Sequence, residues 1–373
     1  MKPKWPPHRD RDAPTRRAAL GLIGGALSLA TGSSSAAPGS GLAAAAARAG
    51  LVFGVAADSE VLVDPAYRAL ILNNCRLLAP SNSLKFAALQ PEQGVFHFEQ
   101  GDALVGFAER NGLLARGHAL FWNDYPPAWL QNKSSAELAT VFDAYLDRVV
   151  PHFAGRLHSW DVVNEPFWLG RDRPGTFRPG PWLRAFGEDY VERAFRRTAA
   201  LDAQAKLVLN EAWTECASPV GLAVRASLLA LVDRLQDRGV KIDAIGLQGH
   251  IMPSEPWDEE SFAEFLHALS ARKLDIYLTE LDVVDDALQG GVAERDGAAA
   301  DLTRRLLKLA LDIPAVKMVV AWSLSDKYSW LRNPWFTSRK HLSHVARPCP
   351  FDENMQPKPM AEAIAGAFRG ARG

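Results

Sequence analysis

Two stretches of the chain decide the fold: residues 158–167, which read HSWDVVNEPF, and residues 275–284, which read DIYLTELDVV. Each is a mostly apolar run that leads up to a glutamate, Glu165 in the first and Glu280 in the second. A buried strand stops at or before such a side chain, because an unpaired carboxylate in an apolar environment costs several kcal/mol. We therefore interpret both stretches as buried strands that deliver a carboxylate to a cleft.

Apolar runs of this kind alternate along the chain with amphipathic stretches. The runs cover residues 51–56, 75–80, 113–122, 157–165, 206–213, 244–250, 275–282 and 316–326. Helical patterns lie between them at residues 134–153, 220–239, 258–273 and 301–311. Near-continuous apolar runs are typical of strands buried on both faces of a parallel sheet. Strand–helix units in this order predict an α/β fold, a (β/α)8 TIM barrel.

A doubly wound open sheet is the competing α/β architecture. It normally carries a glycine-rich phosphate turn after its first strand, and Asp58-Ser59-Glu60 is not such a turn. The chain has 373 residues and no Pro/Gly/Ser-rich linker after about residue 50. One large catalytic domain, residues 48–373, is therefore expected. The formal net charge of −1 disfavours nucleic acid as a partner.

The first 47 residues differ in kind from the rest. The pair Arg16-Arg17 precedes a short apolar stretch, residues 20–30, and small residues follow. This pattern predicts an export signal of the twin-arginine type with a small-residue linker, cleaved near Ala37 or later. A retained membrane anchor is the alternative, but the apolar stretch is shorter than the about 20 residues that a bilayer requires. The mature protein is expected to be periplasmic or secreted, with no stable membrane span.

The three cysteines, Cys75, Cys216 and Cys349, are widely spaced. They do not fit a disulfide framework or a metal-ligand cluster, and we interpret them as packing residues. A single disulfide between two of them is the alternative in an oxidising compartment.

Polar and aromatic residues close seven of the predicted strands, at the end where α/β barrels carry their chemistry. They are Asn82 and Lys85 after the second strand, His118 and Trp122 after the third, Asn164 and Glu165 after the fourth, Asn210, Glu211 and Trp213 after the fifth, Gln248 and His250 after the sixth, Glu280 and Asp282 after the seventh, and Trp322, Ser325 and Asp326 after the eighth. Each residue alone has a structural interpretation, but the whole set at one end of the barrel predicts a shared pocket.

Two carboxylates ringed by tryptophans and hydrogen-bond donors suit a neutral, polyhydroxylated substrate. In glycoside hydrolysis one carboxyl group protonates the leaving oxygen, and the other attacks or stabilises the oxocarbenium-like centre. A metal site built on His118 and His250 lacks an HExxH pair, and no G-x-S-x-G elbow supports a serine nucleophile. We predict a glycosidase without a metal or cofactor.

The motifs, taken in order, resemble family 10 glycoside hydrolases, the endo-β-1,4-xylanases. They are Asn82 with Lys85, GHALFW at 117–122, WDVVNEP at 160–166, GLQGHI at 246–251, TELDV at 279–283 and WSLSDKYSWL at 322–331, with PFD at 350–352 and Lys358-Pro359 in the tail. The resemblance runs from about residue 51 to residue 368. It implies a retaining, endo-acting hydrolase of β-1,4-linked xylan or a related decorated polysaccharide.

The resemblance also implies a role for each residue. Glu165 would be the general acid/base and Glu280 the nucleophile. His250 would hydrogen-bond Glu280, Asp282 would hold that imidazole, and Asn164 would contact the sugar 2-hydroxyl. The residues expected to bind sugars are Asn82, Lys85, His118, Trp122, Gln248, Trp322 and Trp330.

The chain departs from the family pattern at three places. Ser81 stands where the family has a sugar-binding carboxylate, and Asn123 stands where it has histidine. From Ser81 we expect a vacated space in which Lys85 is less compensated and favours an acidic substituent such as a uronic acid. The third place is an arginine-rich stretch after the fourth strand, with Arg171, Arg173 and Arg178, which is interpreted as a solvated loop or as a contact for an acidic decoration.

Two alternatives remain at the level of sequence. One is a related barrel glycosidase that acts on another β-glycan or an exopolysaccharide. The other is a sugar-binding protein without turnover, which has no need for two carboxylates of different pKa. The expected partner is a polysaccharide, and a monomer is expected.

Overall fold

Parallel strands close into an eight-stranded barrel in the computed structural model, which describes residues 41–337 and 344–371. The barrel strands are β1 (Val52–Ala57), β2 (Leu77–Pro80), β3 (Leu114–Gly117), β4 (Ser159–Asn164), β5 (Lys206–Glu211), β6 (Ala244–Leu247), β7 (Asp275–Val283) and β8 (Val316–Ala321). β8 pairs with both β1 and β7, so the sheet has no free edge. The predicted TIM barrel is confirmed.

Two predicted runs are each divided into two strands. The run at 113–122 contains β3 and a short strand, Phe121–Trp122, which pairs with β4. The run at 244–250 contains β6, and a second short strand, His250–Ile251, follows and pairs with β7. These short strands lie beyond the barrel rim and carry aromatic and imidazole side chains to the carboxyl end of the sheet.

Helices fill the connections and cover the outside of the barrel. They are α1 (Leu42–Arg48), α2 (Glu60–Val63), α3 (Pro65–Asn74), α4 (Phe86–Leu89), α5 (Glu99–Arg110), α6 (Ser135–Phe153), α7 (Pro181–Phe186), α8 (Tyr190–Leu201), α9 (Pro219–Asp237), α10 (Glu259–Ala271), α11 (Val292–Leu311), α12 (Pro334–Thr337) and α13 (Pro359–Gly370). Short 3-10 turns lie at Ala128–Leu130, Gly187–Asp189, Asp285–Ala287, Asp326–Tyr328 and Trp330–Arg332.

The helices predicted from sequence are present, with differences at their ends. The N-terminus of α6 has the predicted capping box, in which Ser134 accepts from the Glu137 N–H and Glu137 accepts from the Ser134 N–H. α11 begins at Val292, well before the predicted start at residue 301. Its first half buries Arg295 and Asp296, which a search for apolar periodicity does not detect.

The apolar core has two layers, because each strand faces the barrel axis and the helices in alternation. The residues of the barrel interior are Ala56, Leu77, Ala79, Val208, Ala244, Tyr277, Met318 and Val320. A larger layer lies between the sheet and the helices. The three cysteines are buried and unbonded, as expected for packing residues.

The chain is packed from its first described residues onward. Leu42, Ala45 and Ala46 of α1 are buried, and α1 contacts β1 and α13. The domain boundary predicted at residue 48 therefore lies at the end of this helix, and the packed domain includes residues assigned to the linker. The predicted export signal lies almost entirely outside the described residues. In residues 41–337 and 344–371, none of the helices combines the length and apolar character needed to cross a membrane.

Candidate active site

A cleft of about 650 Å³ lies at the carboxyl ends of the barrel strands. The predicted site residues that line it are Asn82, Lys85, His118, Trp122, Asn164, Glu165, Gln248, His250, Glu280, Trp322 and Trp330. Asp282 is fully buried and contacts His250 from behind the wall. The structure thus gathers every predicted site residue at one place, and their catalytic roles stay predictions.

Glu280 lies inside β7, three residues before its end, so the strand does not stop at this glutamate as expected. Glu280 is buried, with 4% of its surface exposed. Its carboxylate lies 3.3 Å from Nε2 of His250 and accepts a hydrogen bond of 2.9 Å from Nδ2 of Asn210. Burial alone would raise the pKa of Glu280. The hydrogen bond from His250 and the charges of His118, His250 and Lys85 outweigh it and lower the pKa to about 2. Glu280 is therefore ionised, as a nucleophile must be.

His250 lies between two carboxylates. Its Nδ1 is 2.7 Å from Oδ1 of Asp282, while its Nε2 faces Glu280. Burial opposes a charge on the ring, but the charge and hydrogen bond of Asp282, together with Glu280, raise the pKa of His250 well above its usual range. The second oxygen of Asp282 accepts from Nε1 of Trp330 at 2.8 Å. Asp282 thus holds an imidazolium and an aromatic wall at once.

Glu165 follows β4 and is surrounded by donors. Nε1 of Trp122 donates to its Oε2 at 3.0 Å, and Nε2 of Gln248 donates to its Oε1 at 2.9 Å. Its backbone is left-handed, with φ of 49°, a conformation that costs energy for a residue with a Cβ. Its N–H donates to the carbonyl of Asn210 at 2.8 Å. Its carboxylate is therefore fixed by Trp122 and Gln248, and its main chain by Asn210.

Arg178 holds Glu165 by both its main chain and its side chain. Nε of Arg178 donates to the Glu165 carbonyl at 3.0 Å, and Nη2 lies 3.0 Å from Glu165 Oε2. Nη1 binds Asp124. Arg178 is 5% exposed, so the interpretation as a solvated loop is wrong for it, whereas a contact with an acidic decoration stays a prediction. The side chain of Arg171 is 85% exposed, and nothing in the local sequence distinguishes the two arginines.

The departure at Asn123 lies in the support of Arg178 and not in the cleft wall. Asn123 is buried, its Nδ2 donates to the Arg178 carbonyl at 3.3 Å, and its Oδ1 accepts from the Trp182 N–H at 3.2 Å. Asn123 therefore ties the loop that carries Arg178 to the end of the short strand Phe121–Trp122.

Asn210, at the end of β5, connects the two sides of the site. Its Nδ2 donates to Oδ1 of Asn164 at 2.8 Å as well as to Glu280, and its Oδ1 accepts from Thr279 at 2.7 Å. These partners fix the orientation of the buried Asn210 amide. Sequence reasoning placed Asn210 at a strand end but gave it no role.

His118 depends on a buried charge that sequence reasoning missed. Its Nδ1 is 2.8 Å from Oδ2 of Asp161 in β4, and Asp161 also pairs with Arg116 in β3. All three residues are almost fully buried. The available signal was Asp161 itself, because a carboxylate inside a buried strand requires partners.

Five of the polar strand-end residues do not line the cleft. Asp282 and Asn210 support residues that do line it, and the other three have structural roles. Asp326 is fully buried and binds Nζ of Lys358 at 3.0 Å, which anchors the start of α13 to the barrel. The hydroxyl of Ser325 donates to the Asp352 carbonyl. Glu211 accepts from the N–H groups of Phe167 and Ala212. The expectation that Asp326, Ser325 and Glu211 face the pocket is wrong, because buried charges and hydroxyls near a strand end also serve to fix loops.

The expectation that Lys85 favours an acidic substituent beside Ser81 stays a prediction. Burial lowers the pKa of Lys85, while the charges of Glu280, Glu165 and Asp58 oppose that shift. Its Nζ donates to Asn82 at 3.3 Å and lies 5.1 Å from the ring centroid of Trp122. The space beside Ser81 is bordered by the carboxylates of Asp58 and Glu60, so it is a poor place for an anion.

Residues with left-handed backbone are concentrated at the cleft. Within residues 41–337 and 344–371, six non-glycine residues have this backbone, and four of them line the cleft, namely Tyr125, Glu165, Trp213 and Ser323. Each lies just beyond a strand, where the chain turns sharply to present a side chain. Trp213 shares its side of the cleft with Leu169 and Met252. Strained backbone of this kind is typical of binding and catalytic sites.

No other feature of the described residues competes with this cleft as a catalytic site. A larger groove of about 840 Å³ lies between α11 and α13, but glycines and alanines form much of it and it contains no cluster of catalytic groups. Within residues 41–337 and 344–371, no group of three or more His, Cys, Asp or Glu side chains is spaced to hold a metal ion.

The chain is similar to known proteins over most of its length. The sequence profile of glycosyl hydrolase family 10 matches residues 41–367. Endo-1,4-beta-xylanase C of Phanerodontia chrysosporium is 33% identical over 322 residues, which are 85% of this chain and 76% of that protein. Endo-1,4-beta-xylanase B of Thermotoga neapolitana is 34% identical over 290 residues, which are 77% of this chain and 79% of that protein. The solved structure of xylanase 10B from Thermotoga petrophila RKU-1 in complex with xylobiose has a TM-score of 0.79 at 29% identity, and covers 88% of this chain and 97% of its own.

Proposed function

The chain belongs to glycosyl hydrolase family 10, and on that premise we propose that it is a retaining endo-1,4-β-xylanase. One observation carries the proposal: a buried, ionised Glu280 beside an imidazolium shares a cleft with Glu165, which is partly exposed and surrounded by donors. Two carboxylates in such different environments suit a nucleophile and an acid/base. Neither another β-glycan nor a binding protein without turnover is favoured by any relative named above.

In the first step an oxygen of Glu280 attacks the anomeric carbon. The bond from that carbon to the leaving oxygen breaks, and its electron pair stays with the leaving oxygen, which takes the proton of Glu165. His250 and Asn210 each contact one oxygen of Glu280 and so keep the carboxylate oriented. The product of this step is a covalent xylosyl ester of Glu280.

In the second step Glu165 acts as a base. It takes a proton from water, the water oxygen attacks the anomeric carbon, and the ester bond to Glu280 breaks. Trp122, Gln248 and Arg178 stabilise the carboxylate form of Glu165 that this step needs. Two inversions return the original β-configuration.

The extent of the cleft supports cutting within a chain. Asp58, Asn82 and Lys327 line it on the side of β1, β2 and β8, while Leu169 and Trp213 line it on the side of β4 and β5. Sugars can therefore bind on both sides of the reacting carboxylates. Trp322 and Trp122 supply aromatic faces for the sugar rings.

The test separates the two carboxylates by their chemistry. Glu280→Ala and Glu165→Ala should each lower xylan hydrolysis by several orders of magnitude, since acid/base steps alone contribute about 10² to 10⁴. With an activated aryl β-xyloside, whose leaving group needs no proton, Glu165→Ala should still form the ester and release a β-xylosyl azide when azide is added. Glu362→Ala, an exposed carboxylate on α13, is the control.

Three outcomes would contradict the proposal. An α-xylosyl azide from Glu165→Ala would mean that Glu280 is not a retaining nucleophile. Release of only monosaccharide from long xylan would contradict endo action. Hydrolysis of β-glucan or another polysaccharide, without hydrolysis of xylan, would show that xylan is not the substrate.

A further inference from the structure

The loops that follow β1 and β2 lie side by side on the wall of the cleft. The two strands are paired, with Ala57 opposite Pro80 at their carboxyl ends. Glu60, the first residue of α2, and Ser81, the first residue after β2, both line the cleft. A carboxylate from the first loop is thus available where the second loop carries only a hydroxyl.

Asp58 lies between these loops but is occupied by protein donors. Its Oδ2 accepts from the N–H groups of Asn82 at 2.8 Å and Ser83 at 3.1 Å, and its Oδ1 accepts from Gln100 at 3.1 Å and from the Ser83 hydroxyl. Its function is to fix the loop after β2. It has little capacity left for a ligand.

Glu60 has an oxygen to spare. Its Oε1 accepts from the N–H of Asp58 at 2.6 Å, which holds the side chain against the wall. Among the described residues its Oε2 has neither a hydrogen bond nor an ion pair, and it is not a buried atom. Burial and the charge of Asp58 raise the pKa of Glu60, against the N–H groups of Asp58 and of Glu60 itself, and no cation is among these influences.

An oriented carboxyl oxygen on the wall of a sugar cleft matches a sugar hydroxyl. We propose that Glu60 binds a hydroxyl of the second sugar on the non-reducing side of the cut, and so supplies from β1 the carboxylate that Ser81 lacks after β2. This inference rests on the proposed function. It also assigns this subsite to a neutral sugar, because Asp58 and Glu60 together repel an acidic substituent.

The test compares two substrates that differ by one sugar. A nitrophenyl β-xyloside occupies only the nearest non-reducing subsite, whereas a nitrophenyl β-xylobioside also reaches the next. A hydrogen bond to a charged group corresponds to about 10- to 150-fold in transition-state binding. Glu60→Ala and Glu60→Gln should lower kcat/KM on the xylobioside by about 10-fold or more, up to about 150-fold. On the xyloside, kcat/KM should stay within about twofold of the wild-type value. Glu60→Gln keeps an oxygen for the Asp58 N–H, so it removes the charge with little effect on the loop.

The reciprocal test places a carboxylate after β2, at position 81, in the variant that lacks Glu60. Ser81→Glu should restore xylobioside turnover to the Glu60→Ala variant, and the exposed Glu362→Gln is the matched control. An equal loss on both substrates would indicate a purely structural role and overturn the inference, as would an unchanged ratio of the two kcat/KM values. Absence of wild-type turnover on both substrates would overturn the proposed function and, with it, this inference.

Discussion

At the scale of single residues, the acid/base candidate is held by both its main chain and its side chain. Glu165 combines a left-handed backbone with hydrogen bonds from Trp122 and Gln248. Arg178 contacts both its carbonyl and its carboxylate. We infer that Arg178 acts through Glu165 as a positioning residue, because it binds the two groups whose relative direction sets where the proton is delivered.

Replacement of Arg178 by methionine tests this role. A misplacement of about 1 Å can cost about 10²-fold in rate, so kcat/KM on xylan should fall by about 10- to 100-fold. The first step on an activated aryl xyloside should fall much less, because its leaving group needs no proton. The pH profile on xylan should change its shape, since the charge beside Glu165 has been removed. The measurement is steady-state kinetics on both substrates from about pH 4 to about pH 9. This range roughly spans the titration of an active-site carboxyl group.

Arg171→Met is the matched control, because Arg171 lies in the same loop with its side chain in solvent. It should leave both rates unchanged. Equal losses on both substrates in Arg178→Met, with an unaltered pH profile, would show that Arg178 stabilises the fold without positioning the acid.

At the scale of elements, the close packing of β5, β6 and β7 builds the hydrogen-bond network under the nucleophile. Gly246 in β6 makes room for the amide of Asn210 in β5: a Cβ at Gly246 would lie 2.1 Å from Asn210 Oδ1. Asn210 can then reach Glu280 and Thr279 of β7. Gly246 therefore matters because it has no side chain that would clash with Asn210.

Gly246→Ala should therefore displace Asn210 and weaken its bond to Glu280. We expect a loss of about 10²-fold in kcat/KM, as for other small displacements near reacting groups, and a lower Tm. In an Asn210→Ala background the same glycine change should have a much smaller further effect on Tm, because the clashing amide is gone and only the tight contact with Thr279 Cγ2 at 3.0 Å remains. Thermal unfolding and kinetics of the four proteins in this cycle provide the measurement.

Gly297→Ala in α11 is the control, because a Cβ there meets open space. It should raise or maintain stability, since alanine favours a helix more than glycine does. A full Tm loss from Gly246→Ala in the Asn210→Ala background would show that the clash involves another neighbour.

At the scale of the whole molecule, a buried carboxyl group beside the active site affects overall stability. Glu211 is fully buried and lies near Arg178 and Glu165. Burial raises the pKa of Glu211 to about 8, against the charge of Arg178 and the N–H groups of Ala212 and Phe167. The folded state therefore holds this proton more tightly than the unfolded state, whose glutamate titrates near 4.5.

The sign of the pH dependence follows from this difference. Between about pH 4.5 and pH 8 the unfolded state binds fewer protons at Glu211 than the folded state, so this group lowers the free energy of unfolding as pH rises, by at most about 1.4 kcal/mol per unit. Glu211→Gln mimics the protonated form and removes that slope. The Tm of the variant should rise relative to wild type between pH 5 and pH 8, a range roughly within that titration window. Parallel Tm curves for the two proteins would contradict the prediction, and the exposed Glu362→Gln should give such parallel curves.

The export prediction also belongs to the whole molecule, and we propose that the protein crosses the membrane folded. Replacement of Arg16 and Arg17 by lysine should leave it in the cytoplasm, as measured by fractionation and xylanase activity. The matched control replaces Arg9 and Arg11 by lysine and should be exported normally. Normal export of the first variant would exclude the twin-arginine route.

The barrel and the reacting pair could be predicted because their signals are local. A strand buried on both faces must be apolar throughout, and a carboxylate that follows such a strand must lie at a mouth or have partners. The capping box of α6 is equally local, since both of its residues lie within one turn. These constraints act over a few residues of chain, so the sequence by itself determined the fold and the positions of Glu165 and Glu280.

Only the tertiary structure decided which other charges serve the cleft. Arg178 and Arg171 belong to one loop, yet one is buried against Glu165 and the other is in solvent. Asp326 and Glu280 both lie near the carboxyl ends of barrel strands, yet Lys358 makes Asp326 an anchor for α13. The energy of a charge depends on burial and on partners within a few ångströms, and in this protein those partners come from distant parts of the chain.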